Sequence, residues 1–390
     1  MNSQTPLIAN WGMPNRILVG PGRLQELPSL CQELGFKAPL LVTDRGLAGL
    51  PMVTYTLAAL AGAGLGAALF AEVEGNPTGP MVEAGVVAYR DGGHDSVVAM
   101  GGGSGLDVGK AIAFMSGQGR PIWDFEDIGD YWTRANADGI APVIAIPTTA
   151  GTGSEVGRAS VIANEAEHRK VIVFHPKMLP KAVILDPEVT TALPAHITAA
   201  TGLDAFIHSF EAYCAPGFNP ICEGIALEGM RLVAASLPVA FLDGSNLEAR
   251  TRMLAAASMG AIAFQKGLGG VHAISHAVGA LYNTHHGLTN AVVLPYIMVH
   301  NRASIEHRMG PVAQAVGLQD ASFDALLDWV LAFRRELGIP HTLAEIGVSD
   351  DQADEVGRLA AVDPSAGGNP QPLNAAVLRA IFRKAVNGVL

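Results

Sequence analysis

The sequence predicts two domains of different class. The first is an α/β half on a mainly parallel sheet, the second an all-α half. The boundary falls near residue 190, giving residues 1–190 and 191–390. Three observations predict this. At 390 residues the chain exceeds what one core usually organises. In the first half, short apolar runs alternate with Ala/Leu-rich helical stretches, the pattern of a parallel sheet covered on both faces. After "ILDPEVTTALP" (184–194) the strand runs stop and long helical periods begin.

The strand runs come in order: "APLLVTD" (38–44), "DSVVAMG" (95–101), "APVIAIP" (141–147), "KVIVF" (170–174) and "KAVILD" (181–186). No charge occurs between Arg45 and Glu72, a length that invites a membrane span. Pro51 and the cluster Gly62, Gly64 and Gly66 break that run, so we read a buried helix, a glycine turn and a strand over 66–73. "RASVIANEAEHRKVIVF" reads as a hairpin turning near Asn164–Glu167. In the second half, "PAHITAATGLDAFIHSFEAYCAP" sets Ile197, Ala200, Leu203, Ile207 and Phe210 on one helical stripe. "GSNLEARTRMLAAASMGAIAF" opens with Ser245 and Glu248 at capping-box spacing.

Composition narrows the function. Hydrophobic residues make up 49% and charged residues 16%, which argues against disorder. The net charge is −11 with no dense Lys/Arg run, against a nucleic-acid partner. The cysteines Cys31, Cys214 and Cys222 form no CxxC pair, which suits a reducing cytoplasm. The N-terminal stretch has no secretory pattern, and no membrane partner is expected.

Two loops read as nucleotide-binding. "VVAMGGGSGLDVGKAIAF" is a strand, a glycine turn and a helix. Gly101, Gly102 and Gly103 let backbone approach a ligand, and the helix start favours a phosphate. It is not a P-loop, since the spacing from the glycines to Lys110 is wrong and Ala111 stands where a P-loop has Ser or Thr. Gly62-x-Gly64-x-x-Ala67 matches the dinucleotide fingerprint formally, but in helix-to-strand context, so it is set aside. "IPTTAGTGSEVGR" places Thr148, Thr149, Thr152 and Ser154 after the next strand, where nucleotides bind in parallel sheets. Asp44 ends its strand. There it either accepts from a ribose diol, favouring NAD over NADP, or caps a helix.

Asp204 and His208 stand four apart on one helix face, and His272 and His276 repeat that spacing. His285 and His286 follow across "NTHHG". One carboxylate and two or three imidazoles suit a divalent transition metal, though spacing alone leaves open which histidines bind.

"GGGSxxDxxK", "TTAGTGSE", "GLDAFIH" and "HAISHAVGALYNTHHG", in this order, resemble the iron-containing (group III) alcohol dehydrogenases, from "GPGRLQEL" (20–27) onward. The resemblance implies a Rossmann-like dinucleotide-binding domain, an all-α metal-binding domain and a metal between them. It puts the metal ligands at Asp204, His208, His272 and His286, and a catalytic histidine at His276. His285 has no counterpart role. NAD contacts fall on Asp44, Asn76, Gly102, Gly103, Ser104, Asp107, Thr148, Thr149, Thr152, Val161 and Lys170, with His286 beside the cofactor. The metal expected is Fe2+; zinc suits the same donors.

The implied reaction is hydride transfer between a small primary alcohol and NAD, with His276 relaying the proton. Lys266, six residues before His272, reads as a carboxylate anchor, with Arg158 as a second. That reading favours 4-hydroxybutyrate and succinate semialdehyde over 1,2-diols and lactaldehyde. An NAD-using lyase of the dehydroquinate-synthase type is disfavoured by the scarcity of Lys and Arg near the histidines. A metal-independent relative of the maleylacetate-reductase type is disfavoured by the intact ligand positions. A homodimer is expected from the resemblance and from the apolar run "TPLIANWGMPNRILVG", which could pair across a two-fold axis.

Overall fold

Apolar runs of four to six residues, closed by Asp, Gly or Pro, form the sheet of the N-terminal unit. The computed structural model describes the backbone of residues 9–11 and all of residues 15–167 and 169–390. Its chain divides into one unit of Met1–Thr149 and Ser154–Ala192 and another of Ala150–Gly153 and Leu193–Leu390. The division thus falls two residues beyond the expected one. The loop Ala150–Gly153 goes with the helices, because Gly151 packs on Thr201 and Gly153 on Ala257 and Ala261.

The first unit runs β1 (Ala9–Trp11), β2 (Arg16–Val19), α1 (Leu27–Glu33), β3 (Pro39–Asp44), α2 (Pro51–Gly62), β4 (Ala68–Val73), α3 (Gly79–Asp91), β5 (Ser96–Gly101), α4 (Gly103–Met115), β6 (Val143–Pro147), β7 (Ala159–Asn164), β8 (Arg169–Phe174) and β9 (Ala182–Leu185). Seven strands order as β1-β2-β9-β6-β5-β3-β4; all pairs are parallel except β1 with β2. Alternate residues feed two cores. Val42, Val97, Ala99 and Val143 pack on one face, and Leu41, Val98, Met100 and Ile144 on the other. Burial on both faces explains why these strands read as continuous apolar runs. β7 and β8 form the expected separate hairpin, with Asn164 opposite Arg169.

Strand order reverses at β3. The chain passes from β3 to β4 on one side and returns as β5 on the other. The carboxyl ends of β3 and β5, Asp44 and Gly101, therefore lie side by side at a topological switch point, where open parallel sheets bind ligands.

The second unit is helical: α5 (Ala195–Cys214), α6 (Pro220–Leu242), α7 (Leu247–Ala263), α8 (Gly270–Tyr282), α9 (His286–Ile305), α10 (Met309–Ala315), α11 (Phe323–Glu336), α12 (Ala353–Val362) and α13 (Ala375–Asn387). α5 is its axis, with α6, α7 and α9 packed around it. The single stripe expected on α5 is therefore not what forms. Every residue from Thr198 to Cys214 is buried, whichever way it faces.

Other expectations meet the structure as follows. The uncharged run resolves into α2, a turn with Gly64 at φ +77°, and β4. The capping box at Ser245 does not form. Asp243 takes the Ser245 amide and hydroxyl, and Asn246 caps α7 instead, accepting from the Ala249 amide at 2.9 Å. Glu248 pairs with Arg252. Of the apolar N-terminal run, Ala9–Trp11 pairs with β2 of its own chain; residues 1–8 and 12–14 lie outside the described residues.

Gly153 has φ +64°, and a Cβ there would overlap the Ala257 carbonyl and the Ala261 methyl. Gly153→Ala adds left-handed strain to overpacking, so it should lose about 2–4 kcal/mol of stability. A lower urea midpoint is the expected reading, and an unchanged one contradicts the packing described.

Candidate metal centre and dinucleotide loops

In the first unit, the glycine turn closes over Asp44. The Gly102 amide donates to Asp44 Oδ2 at 2.9 Å, and Gly102 is the N-cap of α4. A Cβ at Gly105 would lie 2.9 Å from the same oxygen, and one at Gly101 would overlap it. Burial pushes the Asp44 carboxyl above its ordinary range, against the pull of the Gly102 and Gly105 amides. Asp44 is not the cap of α2, whose N-cap is Leu50; it steadies the start of α4 from the neighbouring strand. Gly103 and Ser104 occupy the first turn of α4, where backbone amides lack intrahelical acceptors and suit a phosphate.

Thr148 and Thr149 follow β6. The Thr148 amide donates to the Gly101 carbonyl at 2.9 Å, which fixes the second loop beside the glycine turn. Asp107 and Val161, both expected as cofactor contacts, bind each other: the Val161 amide donates to Asp107 Oδ2 at 2.9 Å. The Ser154 hydroxyl donates to Oδ1 at 2.5 Å, and Lys110 Nζ lies 3.3 Å from it. Asp107 thus ties α4 to β7 and to the loop before it. Asn76 holds φ 54°, a conformation asparagine tolerates, and Lys170 lies opposite Ala163 in the hairpin.

In the second unit, Asp204, His208, His272 and His286 converge. One ligand atom from each lies within 4.8 Å of the others. Close helix packing brings them together. Gly260 of α7 allows approach to His208, and Gly287 of α9 allows approach to the Ala200 carbonyl and Asp204. α8 carries His272, then ends at Asn283 with φ 52°. His285 caps α9, accepting from the Leu288 amide at 3.3 Å, and His286 is the first residue of α9. The turn thereby returns His286 to His272, with ring centroids 5.4 Å apart.

Asp204 is 2% exposed. Among the described residues no Lys or Arg pairs with it; its neighbours are His272 Nε2 at 4.0 Å, His286 Nε2 at 3.7 Å and the Asn290 amide at 2.7 Å. A buried carboxylate without a cation is costly. Three imidazole nitrogens and one carboxylate oxygen fit a divalent transition ion, whose charge answers that cost.

Around these four stands a supporting set. Glu211 Oε2 lies 2.6 Å from His272 Nδ1, and Oε1 accepts from the Val271 amide at 2.8 Å. Burial opposes charge on His272, but the Glu211 hydrogen bond and charge outweigh it and raise the imidazole pKa. A more basic Nε2 is what a metal ligand needs. Burial pushes His208 down to about 4, so it stays neutral and keeps a lone pair at neutral pH. Ser275 Oγ lies 3.2 Å from His286 Nδ1. Asn290 is fully buried, and its Nδ2 lies 2.7 Å from Asp204 Oδ1, 3.1 Å from His286 Nε2 and 3.3 Å from His272 Nε2.

His276 stands beside the cluster, its ring stacked on His286 at 5.3 Å. Asp363 Oδ2 lies 2.9 Å from its Nδ1. Burial alone would raise the Asp363 carboxyl, and the His276 charge and hydrogen bond with the Ser365 amide hold it below its ordinary range.

Lys266 does not stand as a free anchor. Its side chain is 2% exposed, and its ammonium lies 2.7 Å from Glu223, a carboxylate it shares with Arg308 at 2.9 Å. Arg158, in the other unit, lies over the Phe174 ring at 5.6 Å. Sequence reasoning missed Glu211, Ser275, Asn290 and Asp363. Glu211 follows Asp204 by seven residues and Asn290 follows His286 by four, so helical spacing carried both. Asp363 lies 87 residues from His276, and no local pattern signals it.

Comparison with known proteins gives the family. Residues 14–187 match the family model "Iron-containing alcohol dehydrogenase", and residues 198–386 match "Fe-containing alcohol dehydrogenase family, C-terminal". The chain belongs to the iron-containing alcohol dehydrogenase family, and it is an NAD-dependent alcohol dehydrogenase. It is 37% identical to 4-hydroxybutyrate dehydrogenase of Cupriavidus necator, over 94% of this chain and 96% of that one. A solved 1,3-propanediol oxidoreductase superposes with TM-score 0.89 at 33% identity, over 98% of this chain and 100% of that one. Sulfoacetaldehyde reductase of Bifidobacterium kashiwanohense in complex with NAD+ superposes with TM-score 0.85 at 28% identity, over 98% of each chain.

Glu211→Gln and Asn290→Ala each should weaken metal binding about 10–100-fold without unfolding the unit. Competition with a chelator of known affinity reads this. Unchanged affinity in both variants contradicts the supporting role described.

Proposed function

We propose that this enzyme interconverts a small primary alcohol and its aldehyde, with a divalent metal held by Asp204, His208, His272 and His286. The convergence of those four donors around a buried, otherwise uncompensated carboxylate carries the reading. Iron is the metal favoured by family membership, and zinc suits the same donors. When bound, the cation supplies Lewis-acid polarisation of the alcohol or aldehyde oxygen, and NAD accepts or returns the hydride.

The chain's own residues supply the rest. Glu211 and Ser275 fix ring orientation at His272 and His286. His276 moves the proton: its Nδ1 is engaged by Asp363, which leaves Nε2 for proton exchange and lets the carboxylate offset positive charge on the ring. The glycine turn and the loop with Thr148, Thr149 and Thr152 would hold the dinucleotide, with Asn76, Lys170, Asp107 and Val161 shaping its surroundings. Asp44, at the end of its strand, would disfavour a 2′-phosphate and so favour NAD over NADP.

The substrate reading favoured is 4-hydroxybutyrate, with 1,2-diols as the runner-up and 1,3-propanediol-like diols, after the solved relative, as a second alternative. Similarity to the Cupriavidus necator enzyme supports the acid; the Lys266 pairing with Glu223 withdraws the carboxylate anchor that would have supported it from within the chain. The enzyme is proposed to work as a homo-oligomer.

His276→Ala should lower kcat about 10²–10⁴-fold with metal content unchanged, and Asp363→Asn should cost less. Metal loss together with activity in His276→Ala would instead make His276 a ligand. For the substrate, kcat/KM for 4-hydroxybutyrate is compared with 1,3-propanediol, in wild type and Lys266→Ala. Higher kcat/KM for the acid supports the favoured reading; preference for the diol overturns it. Lys266→Ala should affect both alike, since its ammonium serves Glu223. A loss of about tenfold or more confined to the acid would restore the anchor role.

A further inference from the structure

The start of α8 is capped by residues far from it in sequence. Its N-cap is Gly269, which has no side chain, so the first amides of the helix need acceptors from elsewhere. Glu211 of α5 takes the Val271 amide. Asn369 takes the Gly270 amide at 3.1 Å. A Cβ on Gly269 would lie 2.8 Å from Glu211 Oε1 and 2.9 Å from Asn369 Oδ1, so glycine is what lets both approach.

Asn369 is buried, and its amide is fully used. Oδ1 accepts a second bond, from Asn301 Nδ2 at 2.9 Å. Nδ2 donates to Asn301 Oδ1 at 2.8 Å and to the Gln371 carbonyl at 2.7 Å. Asn301 is buried too, on α9, the helix that begins at His286. A buried polar pair with every bond made is fixed in one arrangement.

Asn369 also ends the segment that starts at Asp363. Between them lies a short 3-10 turn, Pro364–Gly368, which Asp363 caps by accepting from the Ser365 amide at 2.8 Å. The segment runs antiparallel to α8. Asp363 meets His276 and Asn369 meets Gly270, six residues apart on each side. Six residues span about 9 Å of α-helix and about 12 Å of 3-10 helix, so both contacts are made at once. Gly368 lies against the Leu268 carbonyl, and a Cβ there would overlap it. His272 is held separately, by Glu211.

We propose that Asn369, paired with Asn301, is a positioning residue for the reaction. It anchors the far end of the Asp363–Asn369 segment to α8 and so holds the Asp363 carboxylate on His276 Nδ1. The inference rests on the reading of His276 as the proton relay, and its test separates the two.

Asn369→Ala removes the anchor and keeps Asp363 and the metal ligands. It should lower kcat about tenfold, with KM for NAD and bound metal unchanged. In an Asp363→Asn background, which already lacks the carboxylate, the same substitution should cost about twofold or less. An equal cost in both backgrounds would make Asn369 a contributor to the fold alone and overturn the proposal. Hydrogen exchange on the metal-free protein gives a reading without turnover. Asn369→Ala should speed exchange in residues 363–369 and at the start of α8, with the rest of the helical unit protected as in wild type. Faster exchange across the whole unit, or no change, contradicts the anchor. Asn301→Ala keeps the Gly270 contact and should show the same local pattern at smaller size; its exchange decides the matter if Asn369→Ala does not fold. Wild-type kcat in His276→Ala would remove the relay reading, and the exchange result would still decide whether Asn369 holds the segment.

Discussion

The buried Asp204 carboxylate is the constraint on which the helical unit is organised. It sits mid-way along a helix buried on every side, with imidazoles rather than Lys or Arg around it. Such a group is tolerated only where a cation compensates it. The surrounding architecture brings three more donors to it. Gly260 and Gly287 let α7 and α9 approach α5, and the left-handed Asn283 turns the chain so that His286 comes back to His272. Glu211, two turns beyond Asp204 on α5, then makes His272 a stronger donor.

The N-terminal unit solves a different problem with similar economy. Seven strands need both faces covered, and the reversal of strand order at β3 leaves the ends of β3 and β5 adjacent. Asp44 and the glycine turn meet there through one hydrogen bond, which presets the start of α4. Asp107 locks the same helix to β7 through the Val161 amide and the Ser154 hydroxyl. Two residues expected to touch the dinucleotide, Asp107 and Val161, are therefore bonded to each other within this unit.

Much of this was legible in the sequence because it is local. Apolar runs of strand length, the glycine turn and the i,i+4 pairs Asp204/His208 and His272/His276 are patterns within a few residues. What was not legible depends on tertiary packing. α5 shows no usable stripe because three helices surround it. Ser245 fails as a cap because Asp243, two residues earlier, captures it and Asn246 caps α7 instead. Asp363 reaches His276 across a separation no periodicity encodes. Lys266 looked like an anchor from its distance to His272 along the chain, whereas Glu223, 43 residues earlier, holds it in space.

The central claim is that one cation at Asp204, His208, His272 and His286 is required for catalysis. Its most direct measurement is an anaerobic titration of chelator-treated protein with Fe2+, following bound metal and alcohol-dependent NADH formation together. The account predicts no turnover at zero metal, activity rising in proportion to occupancy, and a plateau at one ion per chain that His272→Ala never approaches. Full turnover in the metal-free protein would contradict it.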